Sequence, residues 1–280
     1  MSKLFSLLGM GIMVMWLAVS CKKDVDEPTP PDDAEPVETQ PAVLRPVTVE
    51  IGTNVKGYYE ALPALYHETT RKYPLLIYFH GSGQIGNGST DLDKVLREGT
   101  AKLLAEKKFP PNFVSNGQKF SFIVLMPQFK AAPSNADVKA FVDYAKANYR
   151  YDASRVYTSG LSMGARALTE FATAYPSEQV AIVPMAGALV YDLSKKAKQI
   201  VDYKIAAWVF HNEHDQAISS VESKNFVNAV NNFGPAIPAR LTIFPTSDSP
   251  LEHDSWTIST DPNYKEDGKN IYEWMLQYRK

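Results

Sequence analysis

The chain reads as one α/β domain, a mostly parallel central sheet with helices on both faces. Three observations lead there. Apolar runs of strand length recur at 75–79, 122–126, 181–185 and 206–210, the pattern of strands buried on both faces. Helical patterns lie between runs, as in an alternating βαβ chain. Polar, chemistry-bearing clusters follow the apolar runs, and ligands in such sheets bind beyond the carboxyl ends of the strands.

The elements follow in order. Residues 47–51 alternate apolar and polar, and 57–62 make a second short run, so an antiparallel entry hairpin is expected. The run 75–79 ends in His80-Gly81-Ser82-Gly83. A short helix is expected over 100–107. The run 122–126 is expected to stop at Pro127, which has no N–H for a ladder. Over 135–149, Val138, Phe141, Val142 and Ala145 share one helix face. A strand from 156 leads into Gly160-Leu161-Ser162-Met163-Gly164 and a helix to Tyr175, ended by Pro176. After the run 181–185, little more than one short helix fits between Gly187 and Ala206, so no large lid is expected. The run 206–210 ends in His211-Asn212-Glu213-His214-Asp215. A helix over 221–231, a last strand over 241–244, a loop holding His253 and a closing helix over 271–278 complete the domain.

Composition narrows the function classes. The chain has 280 residues, with 29 basic against 31 acidic, so no electrostatic argument points to nucleic acid. Cys21 is the single cysteine, which rules out an intramolecular disulfide. Residues 1–20 have a short head with Lys3 and an apolar run, the outline of a secretory signal. Leu17-Ala18-Val19-Ser20-Cys21 resembles a bacterial lipobox, in which the cysteine is lipidated and becomes the new N-terminus. An uncleaved anchor is the alternative, but the run is short for a span. Residues 21–42 are rich in Pro, Asp and Glu and read as a disordered acidic tether. The domain is expected over 43–280, on an exported, membrane-anchored lipoprotein of the cell envelope.

Gly160-Leu161-Ser162-Met163-Gly164, between a strand and a helix, has the context of a nucleophile elbow. Such a turn strains its central residue and pushes the hydroxyl out of the sheet's edge; the flanking positions must be small. A serine hydroxyl needs an adjacent base, normally a histidine steered by a carboxylate. Of five histidines, His253 alone follows the last strand, in a loop able to reach Ser162. His67 lies in the early hairpin region, and His80 is expected to stabilise the Gly81–Gly83 turn. Asp215, just past a strand end, is the favoured acid, with Glu213 open as the alternative; Asp254 adjoins the base in the wrong chain order. An oxyanion needs preorganised N–H donors. Met163 supplies one and Ser82 the other, with Gly83 next to it. The run His211 to Asp215 is rich in metal ligands but lacks the helical His-Glu-x-x-His spacing, and reads as a loop. The glycines of 81–88 also suit a flexible loop or a phosphate cradle, but no Gly-Lys-Ser/Thr follows. No cofactor or metal is expected.

These pieces resemble a known group. Tyr59-Glu60-Ala61-Leu62-Pro63, His80-Gly81-Ser82-Gly83, Met126-Pro127-Gln128, the Ser162 elbow, Phe210-His211 with Asp215, and His253-Asp254-Ser255-Trp256 look like α/β-hydrolases of the dienelactone-hydrolase and prolyl-oligopeptidase-like branch. The resemblance runs from Tyr58 to the C-terminus. It implies the α/β-hydrolase fold, Ser162 as nucleophile, Asp215 as acid, His253 as base, and Ser82 and Met163 as oxyanion donors. Two departures stand out: Gly83-Gln84-Ile85-Gly86 where the family often has Gly-Glu-Arg-Gly, and His211-Asn212 where it usually has His-Gly. With no room for a propeller domain, the site is expected to be open and shallow. That suits a carboxylesterase acting on acyl or feruloyl-type esters of polysaccharides, with Trp256 and Tyr191 candidates for lining a sugar or aryl site. A peptidase of the same fold and a non-catalytic, glycan-binding surface lipoprotein stay open as alternatives.

Overall fold

The computed structural model describes residues 36–189, 192–247 and 249–280. Residues 1–35, with the expected signal sequence, Cys21 and most of the expected tether, lie outside the described residues, as does Tyr191.

The entry hairpin is β1 (Val43–Ile51) against β2 (Val55–Leu62), paired antiparallel. β3 (Tyr73–Phe79) is wholly buried. A 3₁₀ turn over Ser82–Gln84, a second over Leu92–Arg97 and helix α1 (Gly99–Ala105) follow. β4 (Phe113–Ser115) and β5 (Gln118–Phe120) form a separate small hairpin. β6 (Ile123–Phe129) runs on through Pro127, which corrects the expected stop. Its pairing with β3 ends at Ile77–Leu125, so by Pro127 only the β2 side carries a ladder partner. A residue without an N–H is tolerated where one side is unpaired.

Helix α2 (Asn135–Asn148) starts at a capping box in which Ser134 and Asp137 satisfy each other's free backbone donors. Its buried residues are the four that the periodicity put on one face. β7 (Tyr151–Leu161) and α3 (Met163–Ala174) flank Ser162. β8 (Ala181–Met185), α4 (Leu193–Asp202), β9 (Ala206–Asn212), α5 (Ser220–Asn231) and β10 (Arg240–Phe244) complete the alternation. Two five-residue helices, α6 (Trp256–Thr260) and α7 (Ile271–Met275), close the chain.

The sheet order is β1-β2-β6-β3-β7-β8-β9-β10, parallel from β6 onward. Side chains alternate along each strand, and so sort into two layers. Leu75, Ile77 and Phe79 pack beneath α2, α3, α4 and α5. Leu76 and Tyr78 face the opposite layer with residues of α1, α6 and α7. Because the strands are parallel and in register, Phe79 pairs with Gly160, Leu161 with Met185, and Asn212 with Phe244. The loops after those strands therefore leave at one edge. The chain steps from β3 out to β6, then crosses back over β3 to β7. Such a reversal opens a crevice at the carboxyl edge, here between the loop after β3 and Ser162.

Candidate active site

Ser162 is the one-residue joint between β7 and α3, with φ 51° and ψ −115°. This is a costly conformation for a residue with a side chain, held only where the surroundings over-determine it. They do so here. The Ser162 N–H donates to the Met185 carbonyl of β8 at 2.8 Å. Gly160 and Gly164 let the end of β3 come close. A Cβ on Gly160 would stand 2.7 Å from the Phe79 carbonyl oxygen, and one on Gly164 would meet that oxygen and stand 2.7 Å from the His80 carbonyl oxygen.

The structure brings Ser162, His253 and Asp215 into one hydrogen-bonded chain. Ser162 Oγ lies 2.9 Å from His253 Nε2, and His253 Nδ1 lies 2.6 Å from Asp215 Oδ2. A carboxylate only accepts, so Nδ1 carries the proton and Nε2 is left to accept from the hydroxyl. The Asp215 side chain is fully buried, while that of His253 is 18% exposed. Burial pushes the Asp215 carboxyl up, but hydrogen bonds from His211, His253 and the Ile218 amide outweigh it and hold the group well below the usual carboxylate range. Its other oxygen, Oδ1, accepts from the amides of Ala217 and Ile218 at 2.8 and 2.9 Å. Glu213, the alternative acid, instead points out to Lys224, with Nζ 2.7 Å from Oε1. The carboxyl of Asp254 binds Thr257.

His253 sits at the end of a 3₁₀ turn over Pro250–Glu252. Leu251 and Glu252 both have positive φ, and Asn212 Nδ2 donates to the Glu252 carbonyl at 2.7 Å, tying the loop to the end of β9. Trp256 is buried, its ring edge-on to the imidazole with centroids 5.2 Å apart. It backs the histidine and offers no open face, which corrects the expectation that it lines a sugar site.

The Ser82 side of the site is set by His80. His80 Nδ1 donates to the Gly81 carbonyl at 2.6 Å, and Nε2 accepts from the Phe129 amide at 2.9 Å. Burial pushes the His80 pKa down to about 4, against the pull of the Gly81 carbonyl. In a planar trans peptide the carbonyl and the next N–H point oppositely. Fixing the Gly81 carbonyl inward thus turns the Ser82 N–H outward, away from the imidazole. Gly81 borders the nucleophile, since a Cβ on it would stand 3.6 Å from Ser162 Cβ. Met163, first residue of α3, has an N–H with no acceptor inside the helix. Beside it opens a cavity of about 300 Å³, lined among others by Pro133, Ser134, Arg166 and Glu170.

The run His211 to Asp215 disperses, with His211 turned inward to Asp215 and Ser223 and Glu213 out to Lys224. Sequence reasoning matched His211 to the family as the residue ahead of the acid loop but gave it no role at the site. Its signal was position, as the last-turn neighbour of Asp215 on a strand that ends at the edge.

The arrangement can move a proton from the Ser162 hydroxyl to the His253 imidazole. No protein-family model matches the chain, and no curated protein matches it. Solved structures do. A thermostable esterase aligns with TM-score 0.63 at 21% identity over 85% of this chain; the chain spans 63% of that protein's length. A mutant of the feruloyl esterase module from Clostridium thermocellum, complexed with sinapinate, aligns with TM-score 0.55 at 15% identity, over 84% of this chain and 93% of the module. A provisionally assigned dienelactone hydrolase from Klebsiella pneumoniae subsp. pneumoniae aligns with TM-score 0.52 at 15% identity, over 84% and 97%. The fold is that of the α/β-hydrolases.

Proposed function

We propose that the protein is a serine hydrolase of carboxylic esters. The observation that carries this reading is the chain from Ser162 Oγ through His253 to the buried Asp215. Ser162 Oγ attacks the ester carbonyl carbon as His253 Nε2 takes its proton. The oxyanion meets the N–H groups of Met163 and Ser82. Collapse breaks the bond to the alcohol oxygen, which leaves with the proton from His253. Water, deprotonated by the same imidazole, then releases the acid from the acyl-enzyme.

For substrate, we propose acyl or feruloyl-type esters carried on a polysaccharide. Support comes from the open edge beside Ser162, with only α4 between β8 and β9 in place of a lid among the described residues, and from the feruloyl esterase among the structural neighbours. For location, we propose export and anchoring through a lipidated Cys21, on the strength of the 17–21 sequence. Metabolic labelling with palmitate, lost in Cys21→Ser, is the expected result.

The test is turnover of acetyl, feruloyl and longer-chain chromogenic esters, with aminoacyl amides alongside. Ser162→Ala is expected to lower kcat by about 10,000-fold or more and to abolish labelling by a fluorophosphonate, with unfolding unchanged. Wild-type protein that neither turns over an ester nor takes the probe would end this reading. Turnover of amides alone would move it to the peptidases.

A further inference from the structure

We infer that His211 is a positioning residue for the acid, a second imidazole that donates to the same carboxylate oxygen that His253 uses. The inference rests on the serine-hydrolase reading above and concerns what keeps Asp215 aimed.

The geometry defines one tautomer. His211 Nε2 lies 3.2 Å from Asp215 Oδ2 and 2.9 Å from the Ile218 carbonyl oxygen. Both partners are acceptors, so this nitrogen carries a proton and shares it. His211 Nδ1 lies 2.7 Å from Ser223 Oγ of α5. In the neutral ring Nδ1 accepts, and the serine hydroxyl donates. The His211 and Asp215 side chains are both fully buried. The chain of contacts thus extends from Ser162 through His253, Asp215 and His211 to Ser223, and its far end is anchored in a helix.

Two consequences follow. Oδ1 is held by the Ala217 and Ile218 amides, and Oδ2 takes donors from both rings, so the carboxylate has no free rotation. A His211 proton on Oδ2 also draws off negative charge that would otherwise face His253 Nδ1. That lowers the stabilisation of the imidazolium that forms when His253 takes the serine proton. The surrounding charges are otherwise committed. Glu213 pairs with Lys224 of α5, Glu222 of α5 accepts from the Leu189 amide, and Asp254 holds Thr257. Glu98, ahead of α1, accepts from Gln84; its charge also reaches His253.

The test compares wild type, His211→Phe and His211→Gln on a chromogenic ester across pH, with active sites counted by fluorophosphonate. The phenyl ring fills the space without donating; the glutamine amide can donate to the same oxygen. His211→Phe is expected to lower kcat about 10- to 100-fold with KM little changed. It also moves the acid limb of kcat/KM to higher pH by about half a unit or more. His211→Gln restores most of kcat and returns the limb. A wild-type limb in His211→Phe, or a loss of kcat that glutamine leaves unrescued with the limb unmoved, overturns the inference. A second readout covers a phenylalanine variant that does not fold: nitrogen-15 shifts of wild-type imidazoles. A buried ring protonated at Nε2 and bare at Nδ1 supports the inference, and the opposite tautomer overturns it. Wild-type protein with no esterase activity would instead sink the serine-hydrolase reading, and the tautomer would stand by itself.

Discussion

His80 makes two hydrogen bonds that only one protonation state allows. Nδ1 donates to the Gly81 carbonyl, and Nε2 must stay bare to accept the Phe129 amide. Its pKa in the fold is about 4, against 6.5 for an unperturbed imidazole. The unfolded chain therefore takes a proton that the fold refuses once pH drops below 6.5. The stability this neutral ring contributes is whole above that pH. It is lost as pH falls toward 4, by about 3 kcal/mol in all. Asp215, with a folded pKa depressed below the ordinary 3.8, adds its own loss only at lower pH. Urea unfolding at pH 7 and 4.5 separates the two. His80→Gln, which cannot titrate, is expected to show a much smaller drop over that interval than wild type; an equal drop would remove His80 from the account. The residue scale was partly legible. Ser162 and His253 could be paired by chain order, which left Asp215 favoured and Glu213 open as the acid. The inward turns of His211 and Trp256 could not be read, because side-chain direction at the end of β9 or at the start of α6 depends on what packs against it.

At the scale of elements, the elbow works because β3 leans on both of its glycines. Adding one methyl at Gly164 sets a Cβ against the carbonyls of Phe79 and His80. The end of β3 must then move, and with it the turn that carries Ser82. Gly164→Ala is expected to cost about 1–3 kcal/mol in urea unfolding and to lower kcat even with the contact between Ser162 and His253 in place. Gly83→Ala is the control for stability, since a Cβ there meets nothing within 4 Å; it is expected to stay within about 0.5 kcal/mol. Equal losses would mean that the close approach of β3 has no special weight. Buried strands were readable because an apolar run flanked by turns has few other uses. β4 and β5 were overlooked, though Asn116-Gly117, both with positive φ, is a strong hairpin dipeptide. The pattern at 113–120 is too short and polar to mark strands. The last helix was read as 271–278 and ends at Met275, where i to i−3 bonds from Gln277 and Tyr278 tighten the chain.

The whole molecule begins to pack earlier than composition suggested. Residues up to 42 read as tether because Pro, Asp and Glu bury little apolar surface. Yet the compact unit runs from Pro36 to Lys280. Glu38 is 1% exposed, and its carboxylate accepts from the Leu65 amide and the Tyr73 hydroxyl, each at 3.0 Å. Its backbone carbonyl accepts from Asn112 Nδ2 at 2.8 Å, and the Pro36 carbonyl accepts from Arg71. Composition could not reveal this, since one acidic residue among many looks solvated until the donors it meets are known. Tyr73 opens β3, so the segment is fastened to the strand that leads into the Ser82 turn. A tether residue replaced by alanine changes stability by no more than about 0.5 kcal/mol. Glu38→Ala strands the half-buried Leu65 amide, leaves the Tyr73 hydroxyl with Thr69 Oγ1 as its remaining partner, and is expected to cost about 1–3 kcal/mol. Urea unfolding of the whole chain measures the difference. The loss should arise without change in kcat, because Glu38 hydrogen-bonds at the start of β3 and the nucleophile stands beyond its other end. A midpoint equal to wild type would return residues 36–42 to the tether.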